Sequence, residues 1–250
     1  PKTPKPQNAL IKYEQLKDRF TNMTPDKIGT MIISRPPKEV IRDIRSMESP
    51  AADCADALHA LGFSDFGIPA TILGPVIDRK VAIGPALTIL NEPGHSDLWP
   101  YEFTDVFVLS EPGDFIAISG EGYEHTGSWG GTTTGIASEL QLAGTISRWP
   151  CRDRDVILKH GYPVWVPGHT PLPTVQLITK AIMVPIELHG VTINPGDLIV
   201  ADSTGVVVIP QSAITDVHDR IKRTAESVRN SHLLSIPQDH INKVHDGLNG

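Results

Sequence analysis

Two short stretches concentrate the residues able to do chemistry. The first is Arg148-Trp149-Pro150-Cys151-Arg152-Asp153-Arg154-Asp155, with three arginines and two aspartates. Arginine can hold a carboxylate in a two-pronged grip. Aspartate can hold Mg²⁺, which needs only one or two carboxylates because it keeps several of its waters. The same charges would also make a solvated salt-bridge network of little energetic weight. The second stretch runs from Glu121 to Thr134, EGYEHTGSWGGTTT. Its glycines immediately precede an expected helix, so backbone N–H groups and the helix dipole can face an anion. Gly130, Gly131, Thr132 and Thr133 are the candidate amides; a tight turn with a helix cap is the plainer alternative. No P-loop lysine follows and no G-x-G-x-x-G occurs, so nucleotide binding is not expected.

Other reactive side chains are more scattered. Glu121, Glu124 and His125 lie just upstream of the glycines and are candidate proton carriers, although a loop histidine is more often a surface residue. Cys151 abuts Arg152, which can lower a thiol pKa, but no partner base is evident and a buried structural role fits it better. Cys54 falls in an apolar helix and is expected in the core. His95, Asp97 and His169 sit in loops from which they could reach a ligand. His232 and His240 belong to a polar tail. Trp149 and Trp165 suit the core, with Trp149 alternatively capping a substrate pocket.

The elements that must position these groups follow from periodicity and punctuation. Leu10, Ile11, Tyr13, Leu16 and Phe20 suit one helical face, as do Val40, Ile41 and Ile44 after Arg35-Pro36-Pro37. Ser49-Pro50 is a helix start with Ser49 as cap, Ala55, Leu58 and Leu61 as stripe and Gly62 as stop. Residues 81–90 suit a buried strand pair or one bent strand. Asp105–Leu109, Phe115–Ser119, Gly144–Ser147, Tyr162–Val166 and Val206–Ile209 are expected strands. Helices are expected through Ile136, Ala137, Leu140 and Ala143 and, for a turn, over Val156–Leu158. Val191–Ile193 and Leu198–Ala201 flank Asn194-Pro195-Gly196-Asp197, which is hairpin chemistry. Ile214, Val217, Ile221, Ala225 and Val228 trace an amphipathic helix. Helices and strands mix without strict alternation, so a layered α/β sandwich is expected rather than a doubly wound sheet. Three regions result: a helical extension over 1–48, a core over 49–210, and a helix with tail over 211–250.

Bulk properties narrow the function. A chain of 250 residues can bury a sizeable core. The formal charge of −7 offers no basic surface for nucleic acid, so none is expected as partner. Two cysteines are too few for a disulfide framework. No apolar run is long enough for a membrane span, and the opening Pro1–Pro6 has no signal-peptide core. A soluble cytoplasmic setting without membrane partners is the expectation.

The chain resembles the regulator-of-ribonuclease-activity-A superfamily, RraA-like, which includes 4-hydroxy-4-methyl-2-oxoglutarate aldolase. The likeness spans about Ala51 to Ile209. It is carried by Ala55-Asp56-Ala57-Leu58-His59-Ala60-Leu61-Gly62, Gly84-Pro85-Ala86-Leu87-Thr88, Pro112-Gly113-Asp114, Trp129-Gly130-Gly131, Arg152-Asp153, Gly161-Tyr162-Pro163-Val164, Pro195–Asp202 and Gly205–Pro210. The resemblance implies a compact α/β/β sandwich assembled as a homotrimer or a pair of trimers, with sites between subunits. It implies a metal-dependent lyase acting on a small 2-oxo acid. Arg152 would grip the substrate and stabilise the enolate, Asp153 would hold Mg²⁺ or Mn²⁺, and amides around Gly130 to Thr133 would hold the 2-oxo acid carboxylate.

The pattern breaks at one place that matters. Aldolase members carry an acidic residue, twenty intervening residues, then Arg-Asp; counting back from Arg152, that acid is Gly131. Arg148-Trp149 also replaces a segment that is often Asp-Gly. Retro-aldol cleavage must deprotonate a hydroxyl and needs a base. Decarboxylation of a β-oxo acid needs only the electron sink, so a site without the base is biased toward it. Glu124 and His125 are the nearest substitutes. Two other functions fit the resemblance: a non-catalytic regulator of ribonuclease or helicase partners, and a lyase or isomerase repurposed for another substrate. A methyltransferase does not fit, because no glycine-rich methyl-donor motif follows a first strand.

Overall fold

The computed structural model describes residues 33–94, 103–122, 124–173 and 177–230. The helix expected over 10–20, with His95, Asp97, His232 and His240, lies outside them. The described helices are α1 (Lys38–Arg45), α2 (Pro50–Ala60), α3 (Val106–Leu109), α4 (Gly131–Glu139), α5 (Arg154–His160) and α6 (Ile214–Asn230). The strands are β1 (Gly67–Pro69), β2 (Gly74–Pro75), β3 (Ala82–Pro93), β4 (Phe115–Gly120), β5 (Gly144–Ser147), β6 (Val164–Val166), β7 (Leu177–Ile182), β8 (Ile186–Leu188), β9 (Val191–Ile193), β10 (Leu198–Asp202) and β11 (Gly205–Ile209). None of the described helices is long and apolar enough to cross a membrane.

The main sheet runs β1-β11-β10-β3-β4-β5-β6-β2, with β7 also paired to β3, and curls into a nearly closed, barrel-like wall. Its centre is a run of parallel neighbours, β3 to β4 to β5 to β6, connected in turn through α3, α4 and α5. Within this run helix and strand alternate strictly, while over the whole described chain they mix as expected. The flanks are antiparallel and break the rule. Three apolar layers result. One lies between the parallel strands and α3–α5, one on the opposite face against β8 and β9, and one between β10–β11 and α1, α2 and α6.

Several expectations change. Asp105–Leu109 is not a strand: a 3-10 turn over Phe103–Asp105 leads into α3. Asn194–Asp197 turns the chain, but β9 pairs with β8 and β10 with β3 and β11, so the strands flanking it form no hairpin. The buried stripe of α2 is Ala51, Cys54, Ala57 and Leu58, while Leu61 is exposed. Ser49 makes no side-chain cap. The buried Asp202 carboxylate caps α2 instead, accepting the Ala51 N–H at 3.0 Å. An ionised acceptor at a helix N-terminus stabilises more than a serine hydroxyl there.

The described part of the N-terminal extension packs on this domain. Val40 and Ile44 of α1 are buried against α2 and α6. Arg35 grips the fully buried Asp114 carboxylate with two bonds of 2.9 and 2.8 Å and reaches Glu111 at 2.9 Å. That pairing holds the chain ahead of α1 to the turn that enters β4.

Candidate active site

In a sheet with parallel strands, ligands bind beyond the carboxyl ends of those strands. Beyond β4, β5 and β6 the chain continues as three segments, 127–130, 150–152 and 168–170, laid side by side. Ser128 N–H donates to Pro150 C=O (3.1 Å), Arg152 N–H to Trp129 C=O (2.8 Å), Cys151 N–H to Gly168 C=O (3.1 Å) and Thr170 N–H to Cys151 C=O (2.9 Å). The Ser128 and Ser147 hydroxyls meet at 2.5 Å in the buried layer beneath. Both sequence stretches therefore come together at one sheet end.

Asp153 leaves this ladder in a left-handed conformation, φ 53°, and starts α5. A non-glycine residue there stores strain that its surroundings must enforce. The turn swings its carboxylate back onto α4, where Oδ2 accepts the Gly131 N–H at 3.0 Å. A Cβ on Gly130 would stand 3.0 Å from that oxygen, and one on Gly127 would stand 2.4 Å from Arg152 Cγ. The glycines thus leave room for the Asp153 carboxylate and the Arg152 stem. Arg152 is half-buried, and its guanidinium has no carboxylate partner among the described residues.

The amides split into two pairs. Gly130 N–H is held by the Thr133 hydroxyl at 3.1 Å and Gly131 N–H by Asp153. Thr132 and Thr133 keep their N–H groups without an acceptor among the described residues, as first-turn amides of a helix do unless something outside it accepts them. Glu124 and His125 are exposed, and neither forms a hydrogen bond or ion pair among the described residues. His125 lies two residues before the glycine that carries the Arg152 stem. Glu121 is exposed as well.

No three His, Cys, Asp or Glu side chains among the described residues could together hold a metal. Asp153 suits a cation that takes one carboxylate: it is exposed, and Oδ1 makes no bond among the described residues. A Cβ at Gly131 would stand 3.4 Å from Asp153 Oδ2, so an acid at that position would have given a second carboxylate beside the first.

Two sequence candidates settle into structural roles. Trp149 is fully buried, its indole N–H donating to Gly122 C=O at 2.9 Å, so it caps no pocket. Cys151 Sγ lies 3.2 Å from His169 Nδ1, a partner visible only once the ladder forms. Burial pushes the Cys151 thiol up to about 11. Burial, then the Arg154 charge, lowers the His169 imidazole. Both shifts oppose a thiolate–imidazolium pair, leaving a neutral contact. Cys54 is pushed up to about 12 by burial. Native protein is therefore expected to give no thiol titre with a disulfide reagent at pH 8, and two thiols in denaturant; a fast native thiol would contradict this burial.

A family model described as RraA-like, Aldolase/RraA, matches residues 51–208. Protein DlpA of Legionella pneumophila is 30% identical over 184 residues, which are 72% of this chain but only 29% of DlpA. A Halalkalibacterium halodurans protein named "Putative 4-hydroxy-4-methyl-2-oxoglutarate aldolase" is 29% identical over 70% of this chain and 79% of its own length. A Streptomyces coelicolor structure, described as an unusual member of the RNase ES inhibitor RraA protein family, superposes with a TM-score of 0.68 at 27% identity. It covers 79% of this chain and 99% of that one.

Proposed function

The chain belongs to the RraA-like family, Aldolase/RraA, and from that premise we propose that it is a divalent-metal-dependent lyase cleaving a C–C bond in a small 2-oxo acid. The observation that carries the reading is the consecutive pair at the sheet end: Arg152 without a described counterion, and Asp153 turned by a strained backbone onto the start of α4. Mg²⁺ or Mn²⁺ would sit on Asp153, and when bound it supplies Lewis-acid stabilisation of charge growing on the 2-oxo oxygen. Arg152 presents a fixed positive charge to the same oxygen. The free amides of Thr132 and Thr133 receive the substrate carboxylate. In this reading the protein assembles as a trimer or a pair of trimers.

The reaction favoured is decarboxylation of a β-oxo acid such as oxaloacetate. Its C3–C4 bond breaks, CO₂ departs, the electron pair enters the enolate of pyruvate, and C3 then takes a proton from water. No group need remove a proton first. Retro-aldol cleavage must take the C4 hydroxyl proton, and Gly131 offers no carboxylate for that. Purified protein is expected to release pyruvate from oxaloacetate faster than from 4-hydroxy-4-methyl-2-oxoglutarate. The opposite order would show that another group, with His125 and Glu124 foremost, supplies the base.

A second reading is a non-catalytic regulator. Its support is also Gly131, together with the inhibitor family named for the Streptomyces neighbour. Absence of turnover on both substrates with either metal would favour it.

A further inference from the structure

We infer that Val156 decides which bond this site can break: by closing the space over Gly131 it keeps a carboxylate off the start of α4 and confines the site to C–C cleavage that needs no base. The inference rests on the lyase reading above.

A Cβ added at Gly131 would stand 3.0 Å from Val156 Cγ1 and 3.3 Å from Val156 Cβ. Carbon atoms pack best at about 3.5–4.0 Å, so both contacts are too tight. Turning the valine about χ1 would carry Cγ1 away but would leave Cβ where it is. A β-branched side chain in a helix also has one strongly preferred rotamer. Relief therefore requires α5 itself to move. The backbone makes no separate demand for glycine here, since Gly131 is not among the residues with positive φ.

The start of α5 is pinned. The Asp153 carbonyl accepts the N–H groups of Val156 at 2.9 Å and Ile157 at 3.1 Å. Ile157 is fully buried and packs in one cluster with Trp129, Ile136 and Ala137. Displacing Val156 would thus drag on the left-handed turn that aims the Asp153 carboxylate. The crowding is local. One turn further along α4, a Cβ at Gly135 would meet His160 Cε1 at 3.8 Å, an ordinary contact. Val156 is itself 36% exposed, an apolar wall beside the Asp153 carboxylate where a base would otherwise stand. It can neither take nor return a proton.

Replacing glycine by alanine where the backbone allows it ordinarily stabilises a protein. G131A is instead expected to lower the melting midpoint by about 2 °C or more, and V156A in the same chain to relieve that loss. The chemistry is read in Mg²⁺ buffer with G131D, which supplies the acid. G131D/V156A is expected to raise pyruvate release from 4-hydroxy-4-methyl-2-oxoglutarate, relative to release from oxaloacetate, about tenfold or more over wild type. G131D alone should leave that ratio within about twofold. A merely destabilised fold lowers both rates together and does not move their ratio. A stabilising G131A, a loss that V156A does not relieve, or equal ratios in G131D and G131D/V156A would overturn the inference and leave the lyase reading intact. No metal-dependent release from either substrate by the wild type would overturn the lyase reading and the inference with it.

Discussion

Replacing Arg152 with methionine is expected to lower kcat/KM for 2-oxo acid cleavage about 10²–10³-fold, the usual loss when one preorganised donor to a developing oxyanion is removed. Thermal stability should hardly move. The Arg152 stem lies across Gly127, and methionine keeps that apolar reach. The guanidinium makes no described ion pair whose loss would leave a buried carboxylate unpaired. R152K retains charge but not the planar fork and should recover part of the rate. Steady-state kinetics beside a melting curve distinguishes this from a folding role. Full activity in R152M would remove Arg152 from the chemistry.

The largest stability effect is expected at Trp129. Its ring is fully buried, stacks on Tyr162 at 6.0 Å and meets Phe103 and Phe107 edge-on at 6.1 and 6.3 Å. Its indole N–H donates to the Thr134 hydroxyl at 2.8 Å, which fastens the glycine turn to the first turn of α4. W129A should cost about 3–5 kcal/mol through lost contacts and a cavity. For a domain of this size that lowers the melting midpoint by roughly 10 °C. Turnover should fall as well, because the turn carrying the Thr132 and Thr133 amides loses its anchor and small misplacements are costly. W129F keeps the ring stack and should show about 1–1.5 kcal/mol of loss from the missing hydrogen bond. A W129A melt within a few degrees of wild type would contradict this account of the turn.

Much of the scaffold was legible where local chemistry and tertiary context agree. The helix after Ser49-Pro50, the bent strand β3, the helix after Gly130-Gly131 and the amphipathic α6 all follow periodicity and punctuation. Val106-Phe107-Val108-Leu109 misleads because a short, wholly apolar run suits a buried strand and a buried helical turn equally. β7 and β8 escaped because they sit in a proline-interrupted stretch and gain their identity from pairing with β3 and β9. The cap of α2 was invisible for a different reason: Asp202 lies far along the chain, and no local pattern joins it to Ala51.

The residues of the candidate site are legible in the sequence and their wiring is not. Type and spacing mark the charged run 148–155 and the glycine turn, while the choice of Arg152 and Asp153 within that run rests on the family resemblance. That Asp153 occupies the Gly131 amide, leaving those of Thr132 and Thr133 for the proposed carboxylate, depends on a left-handed backbone that composition does not signal. The pairing of Cys151 with His169 required the third segment of the ladder, eighteen residues on.

The most direct test is pyruvate release from oxaloacetate by purified protein with Mg²⁺, with Mn²⁺ and with EDTA, beside D153A measured at equal folded concentration. Metal-stimulated release that EDTA abolishes and D153A lacks is the predicted result. Release that is indifferent to EDTA, or equal in D153A, would contradict the assignment of the cation to Asp153 and with it the proposed lyase mechanism.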